Sequence, residues 1–214
     1  CRKMTFDAGE EPIGGTSWWL DPICLGRYPD TTGYSYEAYI PDTTAEDMKI
    51  ISQPIDFIGM NVYQTYRGKA GENGTCITIP NDPGYARTNA EWPVTPEALY
   101  WGPKFYEERY HKKLYITENG LSNQDWIFLD GQVHDLQRID FLHRYLYQLK
   151  RAVEEGISVE GYFHWTLTDN FEWISGYNNR FGLVYTDFKN QNRIIKDSGK
   201  WYRQVIETNG EIIK

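Results

Sequence analysis

Two stretches decide the fold: Lys113-Leu-Tyr-Ile-Thr-Glu-Asn-Gly120 and Val159-Glu-Gly-Tyr-Phe-His-Trp165. Each is a short apolar run, predicted as strands Lys113 to Thr117 and Val159 to Trp165. Between them lies a long loop to Asp135 and then the longest helix of the chain. Ile139, Leu142, Leu146, Leu149 and Val153 make one apolar stripe on that helix, and Gly156 closes it. A third buried-looking strand, Ile55 to Tyr63, comes earlier. Thr95-Pro96-Glu97 supplies a cap, a first-position proline and a first-turn acid, so a helix is predicted from there to about residue 111. Strand, long loop, helix, strand is the order of a parallel α/β arrangement with right-handed crossovers and helices over both faces. Chemistry in such folds collects at the carboxyl ends of the strands. Tyr63, Glu118 and Trp165 stand at those ends.

The flanking sequence carries weaker signals. Residues 1–35 are rich in Gly, Pro and Trp and read as loop with at most one short helix. Thr43 with Glu46 has capping-box spacing, Met48, Ile50 and Ile51 follow, and Pro54 stops that helix. Residues 66–93 read as loop, and a last helix is predicted over about 198–208, before Gly210. The whole is 214 residues with 40% hydrophobic and 24% charged residues, which excludes a disordered chain, a collagen-like repeat and a small disulfide scaffold. No apolar run approaches the ~18 residues of a membrane span. A net charge of −8 opposes nucleic acid and anionic membranes. Cys1, Cys24 and Cys76 have no pairing or zinc spacing and read as reduced thiols of a cytoplasmic protein. The histidines, His111, His134, His143 and His164, have no ligand spacing, so neither metal nor cofactor is expected.

Position alone leaves each marked residue with two readings. Glu118 is either a nucleophile or acid/base beside a crevice, or a carboxylate capping the Asn119-Gly120 turn. Tyr63 either hydrogen-bonds a neighbouring carboxylate or is a core tyrosine reaching solvent. The aromatics are 16% of the chain, and they crowd Gly161–Trp173. Tryptophan offers a flat apolar surface to the C–H face of a sugar, and a carboxylate accepts from two hydroxyls. Aromatic core packing accounts for the same composition.

Motifs narrow the choice. Ile116-Thr-Glu-Asn-Gly120, Asp169-Asn-Phe-Glu-Trp173 and Arg180-Phe-Gly-Leu-Val-Tyr185 followed by Asp187 resemble the C-terminal part of glycoside hydrolase family 1, the β-glucosidase and β-galactosidase family. Supporting matches are Asp56-Phe-Ile-Gly-Met-Asn-Val-Tyr63, Trp92-Pro-Val-Thr-Pro96, Asp140 after Arg138-Ile139, and Trp18-Trp-Leu-Asp-Pro22. Val62, Thr168 and Leu136 depart from the usual pattern, and Thr168 is expected to loosen packing beneath the Trp165 loop.

The resemblance implies an α/β fold, the C-terminal portion (about strands 6–8) of a (β/α)8 barrel, with residues 1–214 as one segment of a single barrel. It implies retaining hydrolysis of terminal β-glycosides through a glycosyl-enzyme. By resemblance Glu118 is the nucleophile and Tyr63 its hydrogen-bond partner, with Asn61 at the same edge. Trp165 is the platform under the sugar, Glu172 binds its O4 and O6 hydroxyls, and Trp173 a neighbouring hydroxyl. Phe181 lies near the O6 edge and Trp92 in the leaving-group wall. Glu172 facing O6 disfavours a 6-phosphate. The family's Thr-x-Asn-Glu-Pro acid/base motif is absent from residues 1–214. The expected partners are therefore a small β-glycoside or oligosaccharide and the N-terminal part of the barrel, in the same parent chain or a partner chain. The alternative is a non-catalytic sugar-binding fragment or an inactive remnant.

Overall fold

A computed structural model describes residues 2–6, 15–29, 40–72 and 76–214. Cys1 and much of the loop expected within residues 1–35 lie outside the described residues. The elements in order are α1 (Arg2–Phe6), α2 (Thr16–Leu25), α3 (Ala45–Ile51), β1 (Phe57–Asn61), β2 (Arg67–Ala70), β3 (Cys76–Ile79) and α4 (Ala98–Tyr110). They continue with β4 (Lys113–Asn119), α5 (Leu136–Glu154), β5 (Val159–His164), a 3-10 turn (Trp173–Ser175), β6 (Val184–Thr186), β7 (Arg193–Ile195) and α6 (Asp197–Glu207). Among the described residues no helix is long and apolar enough to cross a membrane.

The chain divides into two compact units. The first comprises residues 1–58, 66–80 and 105–112. Residues 1–35 were expected to hold one short helix at most, yet they hold α1 and α2. Asp21 of α2, 2% exposed, explains why the second is fixed: Arg109 Nε and Tyr110 Oη both donate to its Oδ1 at 2.9 Å. Phe6 of α1 packs against Tyr106 and Tyr110, with the Arg109 guanidinium 4.8 Å from its ring centre. The capping box of α3 sits one residue later than predicted, on Thr44 and Asp47, because Thr44 takes the extended backbone an N-cap needs. Residues 66–93 were read as loop, but β2 and β3 form an antiparallel hairpin there. Each strand has only four residues, and Arg67-Gly-Lys-Ala70 is polar, so the pair shows too short a period for a sequence reading to catch.

The second unit comprises residues 59–65, 81–104 and 113–214. Its centre is the sheet of order β1-β4-β5, with β4 and β5 parallel. Within these residues Ile58 and Met60 of β1 and Leu114 and Ile116 of β4 are buried, while Phe57, Asn61, Thr117 and Phe163 are exposed. Burial thus alternates along β1 and β4 with the strand period of two. In α5 the buried line is Arg138, Phe141, Leu142, Tyr145, Leu149 and Ala152. Val153, expected in the stripe, is exposed. The difference lies in side chains a hydropathy pattern discounts: Tyr145 and Arg138 are both fully buried. Gly156, at φ 93°, ends α5, and Ile157 N donates back to Ala152 O at 3.0 Å. Thr95 does not cap α4 with its hydroxyl, which accepts from Thr65 N at 2.8 Å instead. The antiparallel β6–β7 pair was not foreseen within the aromatic-rich region.

Candidate active site

Glu118 lies within β4, one residue from its end, and Tyr63 lies two residues past β1. Val62 N donates to Glu118 O at 2.8 Å, and Asn119 Nδ2 donates to Val62 O at 2.8 Å. These bonds carry the β1 chain onward beside β4 and aim Tyr63 at Glu118. The phenol Oη then donates to Glu118 Oε2 at 2.7 Å. Asn119 is fully buried, and its Oδ1 accepts from Tyr162 Oη at 2.8 Å. The sequence reading took Asn119 only as a turn residue, but it locks three strand ends together.

Trp165 follows β5 directly. Its backbone N donates to Asn119 O at 2.8 Å. A glycine is required opposite: a Cβ on Gly120 would stand 1.9 Å from Trp165 O. The indole Nε1 donates to Glu172 Oε1 at 3.1 Å, joining the aromatic plate to the second carboxylate. Burial raises the Glu172 pKa above the ordinary value, the Trp165 bond opposes this, and the charge of Glu118 adds to it. Burial, then the bond to Glu118, drives the Tyr63 hydroxyl far above the usual phenol range, so it stays protonated and remains a donor.

Aromatic packing backs this pair of carboxylates. The Tyr63 ring lies 5.0 Å from Trp92 and 6.2 Å from Phe181, centre to centre, and Trp92 lies 6.1 Å from Phe181. Phe181 is 3% exposed and supports the other two rings. Tyr63, Trp92, Glu118, Trp165, Glu172 and Phe181 are thus brought together. Asn61 is exposed and accepts from Thr117 Oγ1 at 2.7 Å. Trp173 stands apart, 82% exposed, at the start of the 3-10 turn. All of these residues belong to the second unit. Among the described residues no group of three or more His, Cys, Asp or Glu could hold a metal ion.

Beneath the Trp165–Trp173 loop runs a buried charge network that sequence reasoning missed. Asp169 Oδ1 accepts from Gly182 N at 2.9 Å and Lys196 Nζ at 2.8 Å. Its Oδ2 accepts from Arg180 Nη1 at 2.6 Å and Thr186 N at 3.3 Å. Arg138 pairs with Asp125 at 2.8 Å and with Asp135. His164, whose Nε2 donates to Phe181 O at 3.1 Å, is lowered to about 3 by burial and by the Arg138 and Lys196 charges. Asp169 and Arg180 lay in quoted motifs. Lys196 and Asp125 had no signal, because a buried charge has no periodicity of its own.

The family model described as glycosyl hydrolase family 1 matches residues 10–211. A 1,4-β-D-glucan glucohydrolase of Thermotoga neapolitana is 42% identical over 90% of this chain and 44% of its own length. A 6-phospho-β-galactosidase of Clostridium acetobutylicum is 36% identical over 87% of this chain and 45% of its own length. Among solved structures, β-glucosidase from Thermotoga maritima in complex with noeuromycin superposes with a TM-score of 0.84 at 38% identity, covering 98% of this chain and 47% of that one. The chain therefore spans less than half the length of these relatives. Its fold is the α/β C-terminal portion, about strands six to eight, of a (β/α)8 barrel.

Proposed function

The chain belongs to glycosyl hydrolase family 1, and from that premise we propose that the protein it forms part of is a retaining β-glycosidase acting on terminal, unphosphorylated β-D-glycosides. The observation that carries this reading is the Tyr63–Glu118 bond at adjoining strand ends, beside the Trp165–Glu172 pair. Glu118 is the nucleophile. Its carboxylate attacks the anomeric carbon as the glycosidic C–O bond breaks and an acid elsewhere in the barrel protonates the leaving oxygen. Water, deprotonated by that same group, then cleaves the glycosyl ester. Tyr63 holds the attacking oxygen in place. Trp165 takes the apolar face of the sugar, while Glu172 accepts from its outer hydroxyls, with Trp173 on a neighbouring one. Asn61 lines the edge beside Glu118, Phe181 the O6 edge and Trp92 the leaving-group wall.

Both a β-glucan glucohydrolase and a 6-phospho-β-galactosidase are relatives, so likeness alone does not choose the substrate. Glu172 supports the unphosphorylated sugar: by the resemblance it faces O6, where a partly desolvated carboxylate would repel a phosphate dianion. Residues 1–214 then form one segment of a single barrel whose N-terminal part, in the same parent chain or a partner, supplies the acid/base. Free thiols at Cys24 and Cys76 accord with a cytoplasmic setting. The test is to incubate the whole protein with a 2-fluoro-β-glucoside and map the label. Attachment to Glu118 is expected, and attachment to any other residue refutes the assignment.

A second reading rests on the Thr-x-Asn-Glu-Pro motif missing from these residues: the 214-residue chain on its own binds sugars without turning them over, or is an inactive remnant. Assaying it alone against a β-glucoside with a poor leaving group should give no useful turnover. Measurable hydrolysis would overturn the need for a separate acid.

A further inference from the structure

Lys196 is fully buried, lies outside the motifs quoted above, and has no place in the chemistry above. Its ammonium reaches Asp125 Oδ2 at 2.5 Å and Asp169 Oδ1 at 2.8 Å. Asp169 sits between the two sugar-facing side chains of one loop, after Trp165 and before Glu172. Asp125 is held in turn by Arg138 Nη2 at 2.8 Å and Asn123 Nδ2 at 2.9 Å. Arg138 Nη2 also donates to Arg180 O at 2.8 Å. The chain around Lys196 is fixed too: Lys196 N donates to Leu183 O at 3.0 Å, and Asp197 N to Val133 O at 3.2 Å.

We propose that Lys196 is a positioning residue, which ties the Trp165–Trp173 loop to the α5 and α6 framework and so sets where Trp165 and Glu172 stand. The assignment rests on the reading of that loop as the sugar-binding wall. The network balances three cations, Arg138, Arg180 and Lys196, against three anions, Asp125, Asp135 and Asp169. Without Lys196, Asp125 keeps Arg138 and Asp169 keeps Arg180. Each carboxylate keeps one cation, and the loop loses the side chain that bridges Asp169 directly to Asp125. Arg180, whose backbone pairs with Asn123 at 2.9 and 3.1 Å, is a second tie, but it holds Asp169 by Oδ2 and leaves Oδ1, the oxygen Lys196 shares, to Gly182 N alone.

The experiment is a double-mutant cycle in the whole protein with an aryl β-glucoside. Lys196→Met is expected to raise KM on the order of tenfold, as coupled neighbours do, with kcat less affected. In a Glu172→Gln background the same change should add less than about twofold. An equal effect in both backgrounds overturns the proposal. Amide hydrogen exchange supplies a readout independent of activity. The amides of Gly182 and Thr186, which donate to Asp169, should exchange faster in Lys196→Met while those of α5 do not change. A uniform rise that includes α5 marks a general structural role and also overturns it. If the unaltered protein neither binds nor cleaves a β-glycoside, the functional reading fails, and the exchange result still decides whether Lys196 holds the loop. Where Lys196→Met does not fold, Lys196→Gln, which removes the charge and keeps an amide donor, is read in the same two ways.

Discussion

Replacing Tyr63 with Phe removes one hydroxyl and keeps the ring packed against Trp92 and Phe181. What is lost is a 2.7 Å bond from a phenol to a carboxylate. Hydrogen bonds to charged groups contribute about 1.5–3 kcal/mol net. At about 1.36 kcal/mol per tenfold in rate, that is a loss of roughly 10- to 150-fold. The chemistry says where the loss falls. In the proposed mechanism Glu118 is charged before attack, becomes a neutral ester in the glycosyl-enzyme, and regains its charge as the sugar leaves. The Tyr63 bond strengthens as that charge returns, so its removal slows breakdown of the intermediate most. The kcat of Tyr63→Phe should fall, and KM should fall with it, because glycosyl-enzyme accumulates. Stopped-flow measurement with a dinitrophenyl β-glucoside should show a burst of dinitrophenolate followed by a slow steady state. An unchanged kcat, or a raised KM without a burst, would refute the reasoning.

Glu172→Gln should weaken sugar binding without destabilising the fold. Burial raises the Glu172 pKa, so the folded chain disfavours its charged form and removing the charge at pH 7 costs no stability; a raised KM beside an unchanged or higher melting temperature is the expected pair. His164 behaves in the opposite sense to a salt-bridged histidine. Its folded pKa of about 3 lies below the ordinary 6.5, so the unfolded chain takes up the proton first. Its contribution to stability is complete above about pH 6.5 and is lost as pH falls towards 3, at up to about 1.4 kcal/mol per pH unit. Melting curves of His164→Gln should therefore be flatter over that range than those of the unaltered chain, and parallel curves would remove His164 as the cause. Gly120→Ala drives a methyl against Trp165 O, 1.9 Å from the ideal Cβ position. Overpacking of this kind costs about 1–3 kcal/mol; a denaturant titration should show that loss, and KM should rise because the displaced residue is the proposed sugar platform.

The parts of the molecule that were legible in the sequence are those with a strong local period or terminator. The strands around Ile58, Leu114 and Tyr162 and the helix closed by Gly156 declare themselves by apolar runs and a stop signal. Positions at strand ends then pointed to Tyr63, Glu118 and Trp165 before any motif was weighed, and the structure joins the first two through a hydrogen bond. The β2–β3 and β6–β7 hairpins were missed because strands of three or four residues are too short to display alternation. Arg138, Asp125 and Lys196 were missed for a different reason. A hydropathy reading assigns charges to the surface, and only their mutual pairing in three dimensions lets them be buried. The stripe on α5 was displaced for the same cause: it turns inward on Arg138 and Tyr145, while the apolar Val153 faces out.

Every side chain assigned to the sugar comes from the second unit, whose three segments are 59–65, 81–104 and 113–214. The intervening stretches 66–80 and 105–112 belong to the other unit. In terms of recombination, the junctions near residues 65, 80, 104 and 112 are natural crossover points. A chimera that takes residues 66–80 from a relative inherits a new hairpin and keeps every side chain of the proposed sugar site. One that crosses over between Glu118 and Glu172 splits two residues proposed to act on the same ring. Descendants of this sequence are accordingly freer to vary in the first kind of exchange than in the second.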